Sequence, residues 1–199
     1  PGVGKHATEV LHAMGIFRIS ALQEIGEAEL EIRFGKWGTD LWRKCQGIST
    51  SEVSSWHEAK SISTENTFSE NLVKVEDIQK ELVRQAEKVC YELRTDGMVA
   101  GCVAVKIRYP DFETVSKQTT VAYTSADDEI IPVLKELFKK LYKRGTPVRL
   151  LGVRLSDLNK DAVQTNLFSD TAKKSKLYKA VDSIKGKFGT SKVKRASGK

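Results

Sequence analysis

Membrane-length hydrophobicity is missing from this sequence: no apolar run approaches the roughly 20 residues that a bilayer-spanning helix needs. The first residues also lack the basic-then-apolar layout of a secretory signal, so an intracellular protein with no membrane partner is expected. Cysteine is scarce. Cys45, Cys90 and Cys102 are odd in number, far apart and set in apolar patterns, which argues against a disulfide framework or a zinc site and for ordinary buried thiols. Histidine is equally rare, and His6, His12 and His57 have no second good ligand at a metal-site spacing, so no metal is expected in this chain. Converging carboxylates, which two-metal phosphoryl transfer requires, are absent as well. The one dense acidic run, Asp127-Asp128-Glu129, opens a predicted helix, where capping and the helix dipole favour acids. No catalytic residue is assigned.

What is present is the balance of a globular protein, 40% hydrophobic and 30% charged. Its 199 residues suffice for one ordinary domain, or for two small ones with a tail. The formal net charge is +7, unevenly placed. Beyond residue 158, ten lysines and one arginine face only Asp161, Asp170 and Asp182, a local excess of +8 that leaves −1 for residues 1–158. Such a tail attracts nucleic acid or serves as a solubilising end, and charge alone leaves both open.

Periodicity divides the chain. Ala7, Val10, Leu11 and Met14 share one helical face closed by Gly15; Ser20 is the expected N-cap of a helix carrying Leu22 and Ile25; Trp37, Leu41, Trp42 and Cys45 form a further stripe ending at Gly47. Tryptophans at helical spacing read as core. Residues 1–53 are therefore expected to form a small all-helical unit, and the polar residues around Trp56 and His57 suit a linker over 54–60. The pattern then predicts a strand at 61–68, a helix at 75–93 with Ile78, Leu82, Ala86 and Val89 inward, strands at 100–109 and 114–124, a helix at 128–142 and a strand at 147–156. This βαββαβ order over 61–158 predicts an α+β domain of the split βαβ kind: a four-stranded sheet, two helices on one face, the other face open. Residues 159–199 follow as a basic tail.

Strand alternation sorts the open face. Lys106 and Arg108 lie opposite Val103, Val105 and Ile107, while Thr114, Ser116, Gln118 and Thr120 lie opposite Val115, Val121 and Tyr123. Gly152, Arg154 and Ser156 lie opposite Leu151, Val153 and Leu155, and Ser61, Ser63 and Thr67 opposite Ile62 and Phe68. Small hydroxyls with a few cations suit phosphate: hydroxyls donate hydrogen bonds, cations neutralise charge, and nothing there is shaped to read base edges. A solvated antiparallel face also carries serine and threonine, so the residue types alone leave that reading open. Base stacking of the RNA-recognition kind is disfavoured, because the outward positions of the central strands lack aromatic side chains.

The opening Pro1-Gly2-Val3-Gly4-Lys5 precedes a helix. Glycines let backbone approach a phosphate, and a helix N-terminus offers free N–H groups, although the same residues also make a plain helix start. It does not read as a nucleotide-binding P-loop, because His6 stands where a magnesium-holding hydroxyl belongs.

In order along the chain, these residues resemble the thumb and little finger of Y-family translesion DNA polymerases, nearest the bacterial DNA polymerase IV (DinB) type. Pro1-Gly2-Val3-Gly4-Lys5 with Ala7-Thr8-Glu9 is similar to the helix-hairpin-helix turn of the thumb, and Phe34-Gly35-Lys36-Trp37-Gly38 with Gly47-Ile48 to its later part. Lys60 to Phe68, Val105-Lys106-Ile107-Arg108-Tyr109, Asp111-Phe112-Glu113-Thr114 and Arg149 to Ser156 resemble successive little-finger blocks. The resemblance implies sequence-independent binding of primer–template DNA in lesion bypass and DNA repair. It assigns backbone contacts to Gly2, Gly4, Lys5, Ser61, Ser63, Lys106, Arg108, Thr114, Ser116, Arg149 and Arg154. At Ser116-Lys117 the family usually has arginine second, and lysine keeps the charge without the bidentate fork. Gln164-Thr165-Asn166-Leu167-Phe168 resembles the family's sliding-clamp peptide, with Gln164, Leu167 and Phe168 as its contacts; packing of Leu167 and Phe168 on their own domain is the alternative. The segment from Leu177 to Gly189 also looks like the family's tail. A monomeric bacterial protein, cytoplasmic and nucleoid-associated, is implied. The family's palm, with its Mg2+-binding carboxylates, is expected N-terminal to these residues, so this chain by itself is not expected to polymerise. A stand-alone nucleic-acid-binding protein or a clamp-tethered accessory module, neither with catalysis, stays open on sequence grounds.

Overall fold

Residues 2–49, 52–53, 59–160, 171–190 and 192–193 are described by the computed structural model. They fall into two compact units, Pro1–His57 and Glu58–Lys199.

The first unit is helical because its apolar residues recur every three or four positions. It contains α1 (Lys5–Ala13), α2 (Ile19–Ile25), α3 (Glu27–Phe34) and α4 (Lys36–Cys45). Leu11, Ile16, Leu22, Leu30 and Leu41 are buried together, with Phe34, Trp37 and Trp42 packed partly against them. One expected cap is corrected: α2 starts at Ile19, so Ser20 lies inside its first turn and Arg18 holds the capping position without a side-chain bond. Arg18 is already extended, with φ −138° and ψ 153°, and the chain turns helical directly after it. Gly38 sets how closely α3 and α4 approach, since a Cβ there would run into the Leu30 carbonyl. Gly38→Ala is expected to destabilise this unit by about 1–3 kcal/mol through overpacking, read as a lower denaturation midpoint for the helical signal.

The second unit runs β1 (Ser61–Leu72), α5 (Val75–Thr95), β2 (Val99–Arg108), β3 (Thr114–Thr124), α6 (Asp127–Leu141), β4 (Val148–Asn159) and α7 (Thr171–Phe188). The sheet order is β1-β4-β2-β3, antiparallel at every junction. Each βαβ unit is thus split: β4 lies between β1 and β2, and β2 between β3 and β4. Both α5 and α6 cover one face, α5 against β1 and β4, α6 against β2 and β3. Ile78, Leu82 and Val89 of α5 and Ile130, Leu134 and Phe138 of α6 meet Val103, Val105 and Ile107 of β2 and Leu151, Val153 and Leu155 of β4 in one buried core. None of the described helices is long and apolar enough to cross a membrane.

Two features depart from the sequence reading. Tyr123 was expected inward with Val115 and Val121, but a register shift between Ala100 and Cys102 falls opposite this end of β3. The Tyr123 hydroxyl instead donates to Asp157 Oδ2 at 2.9 Å, and Asp157 itself adopts a left-handed φ of 55°. The second departure is α7, a helix within the segment read as a tail. Its described docking contacts centre on charged groups. Arg94 of α5, with 11% of its side chain exposed, donates from Nε to Asp182 Oδ2 and from Nη1 to Asp127 Oδ1, both at 2.7 Å. Its guanidinium also lies 4.5 Å from the centroid of the Tyr178 ring. The Tyr178 hydroxyl donates to Asp128 Oδ1 at 2.6 Å, and Lys174 pairs with the same carboxylate at 2.7 Å. The outward face of α7 is the apolar one, with Leu177 61% and Phe188 66% exposed.

This latch has a pH window. Burial works against the ionised Asp128 carboxyl, but its bonds to Lys174 and Tyr178 win and hold its pKa below the ordinary 3.8. Burial and the bond to Asp128 push the Tyr178 phenol above its ordinary 10.0. The Asp128 contribution is present above pH 3.8 and fades as pH falls through the lowered value; the Tyr178 contribution is present below pH 10.0 and fades as pH rises through the raised one. Amide-exchange protection of α7 is therefore expected to be flat between about pH 5 and 9 and to fall on either side.

Candidate nucleic-acid interface

On the face away from α5 and α6, the strand registers arrange side chains into four cross-sheet rows. Ser61, Ser156, Cys102 and Thr120 form one, and Ser63, Arg154, Ala104 and Gln118 the next. Then come Glu65, Gly152, Lys106 and Ser116, followed by Thr67, Leu150, Arg108 and Thr114. The structure therefore brings Ser61, Ser63, Lys106, Arg108, Thr114, Ser116 and Arg154 onto one surface. Alternation is the cause: Val103, Val105 and Ile107, and Leu151, Val153 and Leu155, are fixed in the core, so their neighbours must face out.

The three cations of this surface differ in their engagement. Arg154 is exposed and makes no ion pair or hydrogen bond with a described residue. Arg108 donates from Nε to Thr114 Oγ1 at 2.8 Å, which orients its guanidinium and leaves the remaining N–H groups available. Lys106 is paired with Glu65, Nζ to Oε2 at 2.9 Å. Arg149 sits at the end of the sheet, its guanidinium 4.7 Å from the centroid of Phe112 in the β2–β3 turn. Phe112 is held at φ 67° and is 64% exposed.

Sequence reasoning overlooked the acids here. Glu65 lies on the open face at the same parity as Ser63 and Thr67, a position legible from alternation alone. The surface is thus mixed in charge rather than uniformly basic.

In the helical unit, Gly2 has φ 89°, a conformation that favours glycine, and a Cβ there would lie 3.8 Å from Lys44 Nζ. Gly4 is the N-cap of α1, and its carbonyl accepts from the Thr8 N–H at 2.9 Å. Lys5 opens the helix and is exposed. Gly2, Gly4, Lys5 and Lys44 therefore belong to the helical unit, separate from the sheet residues. Gln164, Leu167 and Phe168 lie outside the described residues.

Nothing in either unit is arranged for metal chemistry among the described residues, where no three His, Cys, Asp or Glu side chains gather. The acidic run at α6 is occupied by cations: Asp127 by Arg94, and Asp128 and Glu129 by Lys174.

Comparison with known proteins places both units. Residues 59–167 match the impB/mucB/samB family C-terminal domain, and residues 1–49 match the thumb domain described for DNA polymerase iota. A DNA polymerase IV of Streptococcus pneumoniae serotype 4 is 40% identical over 156 residues, which is 78% of this chain and 44% of that protein. One from Streptococcus mutans serotype c is 39% identical over 158 residues, 79% of this chain and 43% of the relative. The chain spans less than half the length of these curated relatives. The ordered match of thumb and C-terminal domain makes this chain a member of the Y-family DNA polymerases, of the DinB type.

Proposed function

We propose that this chain holds primer–template DNA by its sugar–phosphate backbone, without reading sequence, as the thumb and little-finger portion of a lesion-bypass polymerase acting in DNA repair. The observation that carries the reading is the sheet face opposite α5 and α6, with an Arg154 unpaired among the described residues, an oriented Arg108 and hydroxyls in every row. Hydroxyls and guanidinium groups donate to phosphate oxygens from either side of a strand, and no group on the face is aimed at base edges. Gly2, Gly4 and Lys5 at the start of α1 provide a second contact in the helical unit, where free N–H groups of the first turn favour an anion. Nucleotidyl transfer belongs, on this reading, to a palm in the longer polymerase, and the present residues contribute grip and alignment.

Fluorescence anisotropy of the chain on labelled primer–templates of unrelated sequence tests this. Equal affinities that fall steeply with salt support it. Affinities that vary strongly with sequence, or no binding at low salt, overturn it.

The segment Gln164-Thr165-Asn166-Leu167-Phe168 adds a proposed docking peptide for the sliding clamp. Leu167 and Phe168 supply an apolar anchor, and such anchors dominate peptide affinity. The Leu167→Ala/Phe168→Ala variant is expected to lose clamp binding by at least ~100-fold in surface plasmon resonance while keeping its DNA affinity.

A further inference from the structure

The pair between Glu65 and Lys106 crosses an intervening strand. Glu65 is on β1 and Lys106 on β2, with β4 between them, and both are registered to Gly152. Any side chain at 152 would fill the gap: a Cβ there would lie 3.0 Å from Glu65 Cβ and 3.6 Å from Lys106 Cβ. The missing side chain lets the carboxylate and ammonium meet at 2.9 Å above the sheet. The bridge therefore lies across the middle of the open face, between the row holding Arg154 and the row holding Arg108.

We propose that Glu65 is a built-in competitor for DNA phosphate, which keeps Lys106 occupied in the free protein and holds the affinity of the face below what its cations would give. The inference rests on the proposed DNA interface. A phosphate oxygen and a carboxylate oxygen present the same acceptor to an ammonium and repel each other as like charges, so DNA and Glu65 compete for Lys106. The side chains of Lys106 and Glu65 are 39% and 53% exposed, and pairs this exposed are weak enough to break when phosphate arrives. Arg154, without a partner among the described residues, needs no such exchange.

A double-mutant cycle on primer–template DNA across a salt series tests this, with wild type, Glu65→Gln, Lys106→Ala and the double variant of the full chain. Glu65→Gln is expected to bind roughly three- to tenfold tighter at ~0.1 M salt, with a log–log salt slope steeper by about 0.9, one further neutralised phosphate. In the Lys106→Ala background the same change is expected to alter affinity by less than about twofold. Equal tightening in both backgrounds would show Glu65 acting as diffuse negative charge and overturn the competition; so would an unchanged affinity for Glu65→Gln. Failure of all four proteins to bind DNA would instead overturn the interface and the competition together. Thermal melts of the four check that these exposed substitutions leave the fold intact.

Discussion

Arg94→Ala is expected to release α7 and to lower the stability of the second unit by about 3–5 kcal/mol, the range for removing one partner of a buried ion pair. Arg94 joins three elements: its own α5, the start of α6 through Asp127 and the Ser125 carbonyl, and α7 through Asp182 and Tyr178. Burial opposes its charge, but the bonds it donates to Asp182 and Asp127 outweigh this and raise its pKa above the ordinary arginine value. Truncation takes the guanidinium away from the Asp127 carboxylate, whose side chain is 6% exposed. Asp182→Asn keeps the Arg94–Asp127 contact and is expected to cost less, about 1–2 kcal/mol. Arg94→Lys should not rescue, because one ammonium cannot reproduce a bidentate fork and two further donors. Denaturant unfolding with a probe on α7 separates loss of the helix from loss of the unit.

The second large effect is on DNA. Arg108→Ala/Arg154→Ala is expected to weaken primer–template binding on the order of 10- to 100-fold at ~0.1 M salt and to flatten the log–log salt slope by about 1.8, two phosphate contacts at about 0.9 each. These arginines are the cations of the face without a carboxylate partner among the described residues, so their charge is fully available to the ligand. The loss should be uniform across sequences, because phosphate contacts carry no base information.

The alternation of Val103, Val105 and Ile107 and of Leu151, Val153 and Leu155 made the sheet legible, because a strand with one buried face must repeat every second residue. The helices α5 and α6 were legible for the matching reason, at three- and four-residue spacing. Strand order was not: β1 through β4 read alike along the chain, and only long-range pairing places β4 inside the sheet. Helix α7 escaped because the usual rule is reversed there. Its inward residues are Tyr178, Asp182 and Lys185, while Leu177, Ile184 and Phe188 face out, so a search for a core-facing apolar stripe looks at the wrong side. Glu65 escaped for a different reason. Its position follows from alternation, but its partner Lys106 lies two strands away over Gly152, and nothing in sequence spacing announces a contact that skips a strand.

Backbone holding by this chain requires that the open face of the sheet meet DNA. Amide and arginine side-chain chemical-shift mapping of the labelled chain, titrated with primer–template, reads this directly. The expected result is perturbation concentrated at Ser63, Lys106, Arg108, Ser116 and Arg154, with the solvent side of α5 and α6 unchanged. Perturbation confined to the helical side, or to α7 and its lysines, would contradict the open face as the DNA-holding surface.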